Sequence, residues 1–212
     1  MKSILCYGDS LTWGAVPGGA RHSYAERWPT VLGQELGANK VHVVAEGLGG
    51  RNTVFDDFSA AADRNGARIL PTLLATHQPL DCVIIMLGTN DMKPFVAGSA
   101  PAAARGMKRL VEIIRTFPWF DGFKVPEIVL VAPPHCVKTG NVDLGPIFAG
   151  APEQSAKLAL EYQRVAVETG CEFFDAASVA VASPVDGVHL DAKNTIAIGK
   201  ALAPLVKNIL EL

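Results

Sequence analysis

Five short apolar runs punctuate the chain, at Ser3–Tyr7, Val41–Ala45, Cys82–Leu87, Ile128–Ala132 and Cys171–Phe174. They are near-continuous rather than alternating, the pattern of strands covered on both faces, and such strands belong to parallel sheets with helices on either side. Between them, Tyr24–Leu36, Ala67–His77, Ala102–Phe117 and Glu153–Thr169 carry apolar residues at helical spacing. A last helix is expected from Ala192 to Leu210, capped by Asp191. The order βαβαβαβαβα predicts an α/β fold, a flavodoxin-like three-layer α/β/α sandwich whose five-stranded parallel sheet runs 2-1-3-4-5. In that order strands 1 and 3 are neighbours, and the loops that follow them diverge to open a crevice at the carboxyl edge. Gly8–Gly14 and Gly88–Asp91 are the segments expected there. Pro29, Pro71 and Pro204 fall within or near the helical segments, where they soften the ends or kink the axis.

A chain of 212 residues is expected to form one domain, 1–212, that buries about 70% of the surface its unfolded form exposes. With a formal net charge of −2 there is no basic stripe to grip nucleic acid or an anionic membrane. Small molecules and further copies of the chain are the expected partners. Cys6, Cys82, Cys136 and Cys171 are isolated in the sequence and read as free buried thiols. The first residues turn into Gly8-Asp9 too soon for a signal peptide, and no apolar run is long enough for a membrane span, so the cytoplasm is the expected location.

The candidate chemistry lies at the two ends of the chain. Ser10 in Gly8-Asp9-Ser10-Leu11 directly follows the first strand, where a helix start would turn backbone N–H groups toward developing negative charge. A serine hydroxyl needs a base. His189 is the best placed of the histidines, because Asp186 lies three residues earlier and can orient its other ring nitrogen. A tetrahedral oxyanion also needs preorganised donors. Gly47-Leu48-Gly49-Gly50-Arg51-Asn52, after strand 2, can present an unobstructed backbone N–H, and Asn90 in Gly88-Thr89-Asn90-Asp91, after strand 3, can donate from its side-chain amide.

These four segments resemble, in order and in strand placement, the sequence blocks of the SGNH, or GDSL-type, hydrolases. Through Gly8–Gly14 and Glu46-Gly47-Leu48 the chain is most similar to the perhydrolytic branch of bacterial arylesterases and acyltransferases. The resemblance spans nearly the whole chain. It implies Ser10 as nucleophile, His189 as general base and Asp186 as its orienting acid. The implied oxyanion donors are the Ser10 and Gly50 N–H groups and the Asn90 side chain, with Gly49 the alternative to Gly50. It further implies short-chain ester hydrolysis through an acyl-enzyme, acyl transfer to alcohols or hydrogen peroxide, no metal or organic cofactor, and a homo-oligomer of up to eight subunits.

Trp13, beside the nucleophile, is expected either as a wall of the substrate pocket or in the packing of the first helix. The aromatic cluster Phe117-Pro118-Trp119-Phe120-Asp121-Gly122-Phe123 reads as a subunit contact or as internal packing. Arg51 and Asp91 are open between orienting the donor loops and solvated charge. His22, His42 and His77 read as surface or capping residues, His135 as a residue near the sheet edge, and Lys93 as exposed. Within the family, the rivals are a thioesterase, a lysophospholipase and a carbohydrate deacetylase. A nucleotide or flavin binder is a distant alternative: the glycine turn follows strand 2 rather than strand 1 and has Asn52 where a dinucleotide fingerprint has its third glycine. An α/β-hydrolase elbow is excluded, since Thr12 stands where Gly-x-Ser-x-Gly requires its second glycine.

Overall fold

A computed structural model describes residues 1–212. Strands β1 (Lys2–Gly8), β2 (Val41–Gly47), β3 (Cys82–Met86), β4 (Glu127–Ala132) and β5 (Glu172–Asp175) form one sheet in the order β2-β1-β3-β4-β5, with every neighbouring pair parallel. This is the expected 2-1-3-4-5 order. The strands read as unbroken apolar runs because both faces are covered. Ile4, Cys6, Ile84, Met86, Val129 and Val131 pack against α2 (Trp28–Leu36) and α8 (Ala192–Leu210). The alternate positions Leu5, Tyr7, Val83, Ile85 and Leu130 pack against α3 (Gly66–His77), α4 (Ala100–Thr116) and α7 (Leu158–Thr169). Each fully buried aliphatic side chain in these two cores contributes about 1.5–3 kcal/mol.

Several element limits differ from the sequence expectation, each for a local reason. The expected helix Tyr24–Leu36 is a 3₁₀ turn, Tyr24–Glu26, separated from α2 by Arg27 in an extended conformation. Pro29 lies in the first turn of α2, where its missing N–H has no helical acceptor to lose. The expected helix Glu153–Thr169 is divided between α6 (Ala151–Ser155) and α7, and the one-turn α5 (Leu144–Ile147) precedes both. Ser155 ends α6, and its Oγ accepts the Cys136 N–H at 2.9 Å. Pro71 and Pro204 both lie inside helices that continue through them. Cys6, Cys82 and Cys136 are buried free thiols, whereas Cys171 is only partly buried.

The aromatic loop after α4 splits in two. Phe117 and Trp119 meet edge to face at 4.9 Å and pack on the core, while Phe120 and Phe123 face solvent. No helix is long and apolar enough to cross a membrane.

Candidate active site

The register of the sheet brings the chemistry together. Gly8 at the end of β1 lies opposite Gly47 on β2 and Met86 on β3, so the loops after all three strands leave the sheet at one place. The Asp9 carboxylate accepts the Leu11 N–H at 2.9 Å and so starts α1 (Ser10–Trp13), a helix of a single turn. So short a helix has little macrodipole, and what it offers an anion is the Ser10 N–H itself, which has no helical acceptor. A Cβ at Gly47 would lie 2.2 Å from the Trp13 backbone nitrogen, so only glycine lets α1 close onto β2. The next turn is closed by the Arg51 N–H on the Leu48 carbonyl at 3.0 Å, and it carries Gly50 at φ +83° in its third position, where a type II turn places glycine.

On this floor Ser10, His189 and Asp186 form one hydrogen-bonded chain. Ser10 Oγ stands 3.1 Å from His189 Nε2, and His189 Nδ1 stands 2.8 Å from Asp186 Oδ2. Asp186 Oδ1 accepts the backbone N–H groups of Val188 at 3.1 Å and His189 at 2.9 Å, and Oδ2 also accepts the Gly18 N–H at 3.1 Å. Burial alone would raise the Asp186 carboxyl, but the hydrogen bonds from His189 and Val188 outweigh it and hold the group below its usual value.

Asn90 is buried beside this chain, and its Nδ2 donates to the Arg51 carbonyl at 3.0 Å and, over a longer 3.3 Å, to Asp9 Oδ2. Arg51 and Asp91 turn out to be buried orienting groups rather than solvated charges. The Arg51 guanidinium donates to the carbonyls of Gly8 and Glu46 and lies over the Tyr7 ring at 4.4 Å, tying the glycine turn to the end of β1. Asp91 accepts the N–H of Thr53 at 3.1 Å and also its hydroxyl. Burial pushes both Asp9 and Asp91 up to about 6, against the hydrogen bonds they accept.

A cavity of about 440 Å³ opens above Ser10, Asn90 and His189, with Gly49 and Gly50 on its wall. Trp13 lines it too, and Arg21 lies over the outer face of that ring at 4.4 Å. Phe148 and Leu144 close another side. Lys93, expected to be exposed, is 7% exposed and belongs to this wall, at the end of the 3₁₀ turn Asn90–Met92. His22 is likewise buried, its Nε2 2.8 Å from the Leu190 carbonyl, while His135 stays outside the cavity. A larger groove of about 560 Å³ runs between α2 and the edge strand β2, but it holds none of Ser10, His189 or Asp186. Sequence spacing missed Gly18, Asp9 and Lys93. Gly18 acts through a backbone N–H that any residue other than proline owns, and Asp9 and Lys93 needed the fold to show that they are buried.

A model of the GDSL-like lipase/acylhydrolase family matches residues 6–195. Among solved structures, the chain is similar to a carbohydrate acetylesterase family member from Sinorhizobium meliloti, at 51% identity and TM-score 0.97 with both chains covered in full. An aryl esterase from M. smegmatis matches at 40% identity and TM-score 0.92, covering 99% of this chain and 100% of that one. A second carbohydrate acetylesterase from Sinorhizobium meliloti matches at 36% identity and TM-score 0.93, with the same coverage. No curated protein matches the chain.

Proposed function

Since the chain belongs to the GDSL-like lipase/acylhydrolase family, we propose that it is a serine esterase that hydrolyses short-chain acyl esters through an acyl-enzyme on Ser10. The observation that carries this reading is the unbroken Ser10–His189–Asp186 chain, at 3.1 and 2.8 Å, on the floor of an open cavity. Ser10 attacks the ester carbonyl as His189 takes its proton, and Asp186 holds the imidazole in the tautomer that leaves Nε2 free to accept. The tetrahedral oxyanion is received by the N–H groups of Ser10 and Gly50 and by Asn90, whose longer contact to Asp9 at 3.3 Å is the weaker of its two bonds and the one to be given up. His189 then protonates the leaving alkoxide, and water, activated by the same imidazole, releases the acid.

The remaining parts of this reading have separate supports. One hydrolase domain, 1–212, is supported by a sheet and a triad that draw on both ends of the chain. Acyl transfer to alcohols or hydrogen peroxide is supported by the apolar walls at Trp13, Leu144 and Phe148, which disfavour bulk water at the acyl-enzyme. A homo-oligomer, in which Phe58, Phe95 and Phe120 would be covered, is supported by their exposure of 86%, 61% and 66%. A second reading, removal of acetyl groups from carbohydrates by the same Ser10 chemistry, is supported by the two Sinorhizobium meliloti relatives described as carbohydrate acetylesterases.

Stopped-flow hydrolysis of p-nitrophenyl acetate by wild type and Ser10→Ala, with intact-mass detection of the acyl-enzyme, tests the reading. Turnover and a single acetyl mass increment are expected in wild type, and both vanish in Ser10→Ala; turnover that survives the substitution removes Ser10 as nucleophile. Comparing acetylated sugars with phenyl acetate then separates the deacetylase from the arylesterase.

A further inference from the structure

Lys93 is a charge in the catalytic cavity that the acyl-enzyme mechanism leaves unused. Its backbone is set beside the oxyanion donor, since the Lys93 N–H donates to the Asn90 carbonyl at 3.3 Å. Its side chain is 7% exposed, and what remains accessible opens into the cavity. No carboxylate lies within ion-pair distance of Nζ and no acceptor within hydrogen-bond distance. The charges of Asp57, Asp9 and Asp91 reach it only from a distance. The ammonium instead faces two aromatic rings, Phe148 at 5.4 Å and Phe95 at 5.9 Å.

An ammonium largely withdrawn from solvent, with neither counter-ion nor acceptor, is unfavourable, and proteins ordinarily pair such a group. The cavity does not supply the missing partner. Its lining holds two cations, Lys93 and Arg64, and no Asp or Glu. Arg64 is already committed, with one of its terminal nitrogens 2.8 Å from Asp57 Oδ2. Lys93 is therefore the cation left to meet whatever occupies the cavity, and an anionic occupant would make the charge-assisted bond that the protein leaves open.

We propose that Lys93 is a specificity-determining residue that receives a carboxylate of the substrate, so that the enzyme prefers esters bearing a free carboxylate to their uncharged analogues. This rests on the esterase reading above and adds a substrate class to it. The carboxylate can come from either side of the scissile bond: from the acyl part, as in a half-ester of a dicarboxylic acid, or from the alcohol part, as in an acylated hydroxy acid.

The test measures kcat/KM for wild type, Lys93→Met and Lys93→Arg on two matched pairs, each normalised to its alkaline hydrolysis rate. Mono-4-nitrophenyl glutarate against 4-nitrophenyl butyrate probes the acyl side, and 4-acetoxybenzoate against phenyl acetate probes the alcohol side. The ratio within a pair does not depend on the folded fraction of a variant, so partial misfolding does not obscure it. Wild type is expected to favour the charged member of one pair by about tenfold or more, the scale of one charge-assisted hydrogen bond. That preference should collapse in Lys93→Met and persist in Lys93→Arg, and the pair that shows it identifies the side that carries the carboxylate. No preference in either pair, or a preference that survives Lys93→Met, overturns the proposal. Failure to cleave any of the four esters overturns the esterase reading instead, so the two failures are distinguishable.

Discussion

Asp186 gathers four N–H donors on two oxygens: the backbone of Gly18, Val188 and His189, and the His189 ring. An asparagine of the same shape has a single acceptor oxygen, so Asp186→Asn leaves two of those donors facing an NH₂ group. We expect turnover on p-nitrophenyl acetate to fall by about 10²–10⁴ because the imidazole tautomer is no longer held. Thermal unfolding should show a loss of about 1–3 kcal/mol for the donors left unpaired. Turnover equal to wild type would remove Asp186 from the site. The residues of this chain were legible in the sequence because their chemistry is carried by residue type: a serine after a strand, and a carboxylate three positions before a histidine. Gly18 was not legible. Its contribution is a main-chain donor reaching a partner 168 positions away, and no pattern of side chains records it. Lys93 is not legible for a related reason, since a lysine in a polar turn looks solvated until the fold shows that it lines the crevice.

The sheet was legible at the level of elements because burial on both faces leaves uninterrupted apolar runs, and all five strands lie where those runs are. The helix limits were less so. Proline in a first turn and proline in mid-helix look alike in sequence, yet Pro29 opens α2 while Pro71 and Pro204 lie within helices that carry on. The turn after β2 is where element geometry bears on chemistry, and it offers two glycines for one proposed donor. A Cβ at Gly49 would meet nothing within 4 Å, and Gly49 is not among the left-handed residues. A Cβ at Gly50 would lie 2.3 Å from Arg64 Nε on a residue held at φ +83°. Gly49→Ala should therefore fold and melt as wild type does. Gly50→Ala should cost about 1–2 kcal/mol in stability, because an L-residue is forced into the left-handed region. Displacing that N–H should lower kcat by about 10² with little change in KM, since the bond is made in the transition state. A Gly50→Ala enzyme with wild-type kcat would exclude the Gly50 N–H as an oxyanion donor and leave Gly49 as the candidate.

Across the whole molecule, the buried carboxylates give stability an unusual dependence on pH. Asp9 and Asp91, raised to about 6 by burial, bind protons in the folded state at pH values where the unfolded chain has already released them. Between pH 4 and 6 the folded state thus holds the excess of protons, and stability from these two groups falls as pH rises. A shift of that size corresponds to about 3 kcal/mol for a single carboxyl. Asp57 and Asp186 act with the opposite sign. Burial would raise both, but hydrogen bonds outweigh it, and Asp57, held by Ser59 and Arg64, comes down to about 2. Their stabilisation is present above pH 4 and is lost as pH falls through the folded values. Together the four groups place the most stable condition near pH 4, where the carboxyls of the unfolded chain titrate and more acidic than is common. A series of melting temperatures from pH 3 to 8 should show that maximum and a decline toward pH 6.5. Asp91→Asn, which keeps an acceptor for Thr53 without the charge, should flatten the decline. A slope between pH 4 and 6 identical in wild type and Asp91→Asn would show that Asp91 does not carry the excess proton. Asp9 accepts from the Asn90 amide and Asp91 from Thr53, two residues beyond Arg51, so stability given up near neutral pH is the thermodynamic counterpart of holding Asn90 in place before a substrate arrives.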